Sequence, residues 1–125
     1  MRLLVDGHVL LSWLRGSGGL SPDAVAAIRS RTNDVFVSVA TLWELAIKHS
    51  LGKLKVDVDL REHVREQRFE ELPITADHAA AVRDLPPHHR DPFDRMLVAQ
   101  ARCEGLTLVT HDRAMTAYDV PIVIA

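Results

Sequence analysis

Little in the composition points to a special environment. Cysteine is nearly absent: Cys103 is the only one, so no intramolecular disulfide can form and the chain suits a reducing compartment. No apolar run approaches the roughly 18 residues that a membrane helix needs. At the N-terminus, Asp6 ends the short apolar run that follows Arg2. That run is too short for a signal peptide and no small-residue cleavage site follows, so a cytoplasmic protein without membrane association is expected. Basic surplus is also missing, with 15 Lys and Arg against 17 Asp and Glu. A net charge of −2 excludes bulk attraction to nucleic acid but leaves room for a local basic rim around an acidic site. Repeats, low-complexity segments and long linkers are lacking too. One domain over residues 1–125 is therefore expected, long enough to bury a core without disulfides.

What remains is an alternation of strand and helix signals. Residues 2–6 are a short apolar run of the buried-strand kind, and 8–14 a first helix stopped by Gly16-Ser17-Gly18-Gly19. Ser21-Pro22 starts a helix reaching about Arg31, with Ser as N-cap and Pro at the first position. Residues 35–38 predict a strand, and 39–51 a helix closed by Gly52. A charged amphipathic helix over 60–69, a short strand over 71–74 and a Thr75-capped helix over 76–84 follow. Pro86 and Pro87 exclude helix from 85–90, after which a helix runs from about Pro92 or Asp94 to Glu104, closed by Gly105. Residues 106–110 predict a strand, Asp112 precedes a helical turn, and 120–124 form a last strand placed at an edge by Pro121. Strands alternating with helices imply an α/β fold, a three-layer α/β/α sandwich around a mostly parallel sheet.

Ligands of such sheets collect at the carboxyl ends of the strands. Asp6 closes the first strand and Asp112 lies just past the strand at 106–110, so both are expected at a shared sheet end. Each also suits a helix cap, which on its own explains either residue about as well. Glu44 interrupts the apolar stretch Val39–Ile47, where a carboxylate must be paired, protonated or bound to a cation. A surface pair with Lys48 is the plain alternative, but the flanking residues leave little room for an exposed face. Asp91 and Asp94, three residues apart, begin one helix. The helix dipole alone favours acids there, yet two exceed what capping needs.

Neither paired cysteines nor a His-Glu-x-x-His motif offers a zinc site, so these oxygens suit Mg²⁺ or Mn²⁺. Asp6-Gly7-His8 lacks the Asp-x-Asp of haloacid-dehalogenase-type phosphatases, and no glycine-rich phosphate loop or nucleophile elbow is present. A His111-Asp112 dyad would suit a His-Asp phosphohydrolase, but that class is all-helical and the strands at 2–6 and 106–110 oppose it. His111 reads as a neighbour of the site.

Four blocks carry a family resemblance. Leu3-Leu4-Val5-Asp6-Gly7-His8, Val37–Lys48 around Glu44, His89–Ala101 with Asp91-Pro92-Phe93-Asp94-Arg95, and Leu108–Asp112 come in the order of PIN-domain toxins of the VapC type. The Asp-Pro-Phe-Asp-Arg block is the most specific. The resemblance implies a three-layer α/β/α fold and Mg²⁺- or Mn²⁺-dependent endonuclease cleavage of RNA, the toxin half of a type II toxin–antitoxin module. It matches Asp6, Glu44, Asp94 and Asp112 to the acidic quartet, with Asp91 as a second-rank acid. It further implies a homodimer and a cognate VapB-type antitoxin whose tail covers the site.

On that reading, Asp6 and Asp94 hold the metal, and Asp112 is a ligand or a water-mediated partner. Glu44 orients or deprotonates the attacking water, or is itself a ligand. Ser38, Thr110, Arg90 and Arg95 are candidates for phosphate contact or orientation, Arg95 equally for pairing with a neighbouring acid. Trp13 suits a dimer interface or core packing alike. Where relatives carry Thr or Ser after the first Asp, this chain has Gly7, which offers no hydroxyl and loosens the backbone. Lower metal affinity or rate is the expected consequence. Thr110 supplies the hydroxyl expected in the last block. The alternatives are a non-catalytic PIN-like module that binds RNA or protein, favoured only by Gly7, and a DNA-directed nuclease.

Overall fold

The computed structural model describes residues 1–55 and 59–125. Among these residues, five strands form one sheet: β1 (Arg2–Val5), β2 (Asp34–Ser38), β3 (Glu70–Leu72), β4 (Thr107–Thr110) and β5 (Ile122–Ile124). Every pairing is parallel, in the order β3-β2-β1-β4-β5. Among the described residues, six helices surround it: α1 (Gly7–Leu14), α2 (Pro22–Arg29), α3 (Val39–Ser50), α4 (Leu60–Glu66), α5 (Ala76–Arg83) and α6 (Pro92–Glu104). A 3₁₀ turn covers Arg113–Ala117. The expected three-layer α/β/α class is observed, including β5 at the edge.

Alternation along the strands divides the core in two. Leu3 and Val5 join Val9, Leu10, Ala24 and Ile28 on the side of α1 and α2. Leu4 between them faces Leu97, Val98, Ala101 and Met115 on the side of α6. This period of two is why a short, wholly apolar strand is buried on both faces.

Helix ends follow local chemistry. Ser21 caps α2 through its hydroxyl, which accepts from Ala24 N, with Pro22 at the first position. Thr75 and His78 form a reciprocal capping box on α5. Gly105, at φ +66°, closes α6 in the left-handed conformation that glycine adopts without strain. The expected helix over 60–69 is shorter than its charge pattern implied. Arg68 turns left-handed at φ +61°, and Phe69 N bonds back to Val64 O at 3.1 Å, so the helix closes before β3 begins at Glu70.

Parallel order puts the ends of β1 and β4 side by side, with Val5 opposite Val109. The chain runs outward from β1 to β2 on one side and has β4 on the other, so the strand order reverses at this point. That is where α/β sheets open a crevice.

Candidate active site

Asp6 and Asp112 stand at this reversal and are linked through Thr110. The Asp6 carboxylate caps α1 by accepting from Val9 N at 2.8 Å, and its other oxygen accepts from the Thr110 hydroxyl at 2.6 Å. The same hydroxyl accepts from Asp112 N at 3.0 Å. Asp112 in turn caps the 3₁₀ turn through Ala114 N at 2.9 Å. Capping and cleft placement, set against each other for these acids, hold together: each carboxylate satisfies a helix start and lines the cleft.

At the start of α6 the two acids divide their work. One Asp91 oxygen accepts from Phe93 N at 2.8 Å and from Asp94 N at 3.1 Å, which makes Asp91 the cap. Asp94 is thereby released from capping and lines the cleft with its side chain largely buried, at 27% exposure. Glu44 reaches the same cleft from α3, 17% exposed, with Lys48 Nζ 3.6 Å from its carboxylate. The pair with Lys48 and the place in the cleft therefore coexist. The apolar stretch around Glu44 is also less buried than expected: Val39 and Trp43 lie on an exposed side of α3, Trp43 at 59%.

The cleft has a volume of about 470 Å³ and collects all five acids, Asp6, Glu44, Asp91, Asp94 and Asp112. Lys48 is the only lysine or arginine lining it among the described residues. The unbalanced charge shows in Asp94, whose carboxyl is pushed up to about 6, first by desolvation and then by Asp91, with Asp6 and Glu44 adding to it against the opposing pull of His89. Asp112 is held below the ordinary carboxylate range, mainly by the hydrogen bond from His89 and then by Ala114 N. Five carboxylates with excess negative charge fit a hard divalent cation such as Mg²⁺ or Mn²⁺. A continuing hollow shares Gly7, His8, Glu44 and Lys48 with the cleft and adds Arg15 and Lys53. This is the local basic rim that net charge left open.

Several supporting residues have other roles than expected. Ser38 is fully buried, and its hydroxyl accepts from Ala40 N as the cap of α3, so it cannot touch phosphate. Among the described residues, Arg95 pairs with no acid. Its guanidinium donates to the carbonyls of Val82, Leu85, Pro86 and His89 and to the Tyr118 hydroxyl, tying down the loop before α6. Arg90 is exposed and makes no side-chain hydrogen bond or ion pair among the described residues, so it stays available to a phosphate. Trp13 packs against Phe69 and donates to Gln67 Oε1 at 2.9 Å, which settles its packing within the chain.

Gly7 also changes meaning. A Cβ built there would stand 3.3 Å from Glu44 Oε1 and 3.6 Å from Thr41 Cγ2, so the bare backbone makes room for the Glu44 carboxylate. The hydroxyl that Gly7 lacks is not missing from Asp6, which Thr110 serves. The residue that sequence reasoning passed over is His89, whose Nε2 lies 2.8 Å from Asp112 Oδ2 and 3.3 Å from Asp94 Oδ2. Its place in a proline-bearing polar loop hid it. The available signal was its position two residues before the cap Asp91.

A family model described as PIN domain matches residues 3–121. Among solved structures, VapBC2 from Rickettsia felis, bound to a DNA fragment from its promoter, superposes with a TM-score of 0.74 at 15% identity, covering 99% of this chain and 98% of that one. A toxin–antitoxin complex from Klebsiella pneumoniae gives 0.67 at 19%, covering 97% and 95%. FitAcB from Neisseria gonorrhoeae gives 0.62 at 22%, covering 96% and 95%. At these identities the likeness is one of fold. No curated protein sequence matches the chain.

Proposed function

The chain belongs to the PIN domain family, and on that basis we propose that it is a metal-dependent endoribonuclease acting as the toxin of a type II toxin–antitoxin pair. The observation that carries this reading is the convergence of Asp6, Glu44, Asp94 and Asp112 on one cleft, where Asp94 is held against its charge with too few cations to balance it. A site lined with carboxylates repels phosphate unless a cation sits in it.

Asp6 and Asp94 are the residues to hold Mg²⁺ or Mn²⁺, with Asp112 beside them. When bound, such an ion supplies a more acidic water and neutralises charge on the phosphoryl group. Glu44 orients the attacking water and takes its proton, while Lys48, with its Nζ 3.6 Å from that carboxylate, directs it. Thr110 fixes the rotamer of Asp6. Arg15, Lys53 and the exposed Arg90 attract the phosphates on either side of the cleaved bond.

Partners follow from the same premise. Solved relatives include toxin–antitoxin complexes, which supports a VapB-type antitoxin for this chain. The exposed Trp43, stacked edge-on against Phe93 at 5.1 Å, together with Val39, offers an apolar patch suited to a homodimer. No described helix is long and apolar enough to cross a membrane, consistent with a cytoplasmic site of action.

The test incubates purified protein with structured RNAs and Mn²⁺ or Mg²⁺, with and without EDTA, beside Asp6→Asn and Asp94→Asn. Cleavage that stops with EDTA and in both variants is expected; cleavage that survives either treatment overturns the mechanism. DNA of the same sequence, run in parallel, separates a ribonuclease from a DNA-directed enzyme.

A further inference from the structure

His89 is held by its surroundings in one tautomer, and this decides what it can do. Its Nδ1 accepts from Asp91 N at 3.1 Å. A backbone amide only donates, so Nδ1 must carry a lone pair and the ring proton sits on Nε2. That Nε2–H points at Asp112 Oδ2, 2.8 Å away, with Asp94 Oδ2 at 3.3 Å. The residue's backbone is fixed as well. His89 N donates to the Tyr118 hydroxyl at 2.9 Å, and Arg95 Nη1 reaches the His89 carbonyl at 3.4 Å.

Two uses of this ring are open in principle. Nε2, Asp94 and Asp112 lie close enough together to share a metal ion. Ligation through Nε2, however, would require moving the proton to Nδ1, where it would face the Asp91 N–H. The hydrogen-bond pattern therefore opposes His89 as a ligand. We propose that His89 is a positioning residue: its Nε2–H sets the Asp112 carboxylate in place across from Asp94, while its Nδ1 couples that carboxylate to the capped start of α6. His89 thus joins the Asp112 carboxylate on the β4 side of the cleft to Asp94 on the α6 side. The inference rests on the metal-nuclease reading for its function, and on the hydrogen bonds alone for its geometry.

The experiment measures Mn²⁺ binding without RNA, by titration calorimetry and by electron paramagnetic resonance, for the wild-type protein, His89→Ala and His89→Gln. Glutamine places an amide N–H near the position of Nε2 and can still donate to Asp112. His89→Ala is expected to weaken Mn²⁺ binding by about 10-fold, the usual scale for losing a hydrogen bond to a ligating group, and His89→Gln to recover most of it. Pulsed spectra of the bound Mn²⁺ are expected to show no coordinated-nitrogen coupling that depends on His89. Such a coupling, present in the wild type and lost in His89→Gln, overturns the positioning role in favour of direct ligation. Unchanged affinity in folded His89→Ala, checked by circular dichroism, also overturns it. Failure of the wild-type protein to bind Mn²⁺ overturns the metal reading itself and the role of His89 with it, and so is distinguishable from failure of the positioning role alone.

Discussion

The two sides of the cleft handle negative charge in opposite ways. On the α6 side, Asp94 is largely buried among other acids and its carboxyl is raised to about 6. On the β4 side, Asp112 is 42% exposed, accepts hydrogen bonds from His89 and Ala114 N, and stays below the ordinary range. Protein donors already satisfy Asp112, whereas the start of α6 spends its capping bonds on Asp91 and leaves Asp94 short of partners. On the proposed metal-nuclease reading, the difference teaches which carboxylate a cation would serve most. A group that costs stability when ionised without a counter-charge gains most from a cation.

The largest expected effect breaks this asymmetry directly. Asp94→Asn should lower metal-dependent cleavage by at least about 100-fold, because a charged ligand is lost from the cation's surroundings. The same substitution should raise the melting temperature of the metal-free protein at pH 7.5, since it removes a strained charge. Asp112→Asn should cost less activity, about 10-fold, and should leave the metal-free protein no more stable. Calorimetric melting in EDTA, paired with cleavage rates, reads both. Equal stabilisation by the two substitutions would remove the proposed distinction.

Next in size is Arg95, which fastens the α6 side. Its guanidinium gathers four carbonyls from the end of α5 and the following loop, so Arg95→Ala should destabilise the fold by roughly 2–3 kcal/mol, the scale of charge-assisted bonds whose acceptors are left unpaired. Arg95→Lys should not recover this, because one ammonium cannot span acceptors arranged for a planar fork. Denaturant melts of both variants check it.

The sequence made the strands and the acids legible for a simple reason. Apolar runs with turn residues between them define β1, β2 and β4, and in a parallel sheet their ends must share one edge of the molecule, which is enough to bring Asp6 near Asp112. Asp91 and Asp94 were visible through their spacing. Less legible was anything set by side-chain reach. Nothing in the order of residues shows that Arg95 turns back to the Val82 carbonyl rather than outward, or that His89 bridges Asp94 and Asp112, because both depend on how a proline-bearing loop folds over α6. Glu44 lay between these cases: its apolar neighbours implied burial, but half of α3 faces solvent, and the sequence alone does not reveal which half.

Acid titration offers a finer probe of the two sides. The Asp94 carboxyl is raised in the folded protein relative to an ordinary value of 3.8, so between about pH 4 and pH 6 the folded state binds the extra proton. Stability of the metal-free protein should therefore fall as pH rises through this window, by about 1–2 kcal/mol after allowance for solvent screening. Asp112 works the other way. Its lowered value contributes stability that is present above the unfolded value and lost as pH falls through the folded one. Melts of the wild type and Asp94→Asn across pH 4 to 7 isolate the first effect, which the variant should lack. Mn²⁺ affinity should rise through the same window as Asp94 ionises.

The smallest effect concerns Gly7, which lies between the sides and beneath Glu44. If glycine weakened the site by lacking a hydroxyl, Gly7→Ser would speed cleavage and Gly7→Ala would not. The geometry argues for the opposite ranking of causes, because Thr110 already donates to Asp6 while any Cβ at position 7 crowds Glu44 Oε1 at 3.3 Å. Glu44 must give way by a few tenths of an ångström, and it is tethered on its far side by Lys48. Helix propensity pulls against this crowding: alanine in place of glycine favours α1 by at most about 1 kcal/mol. Stability should consequently change little, while both substitutions lower the cleavage rate at saturating Mn²⁺ by a few-fold, about 2 to 10, through a displaced Glu44. A serine variant faster than wild type would show that Asp6 lacks a donor after all, and would move the origin of any weakness in the site from the α3 side back to the first strand.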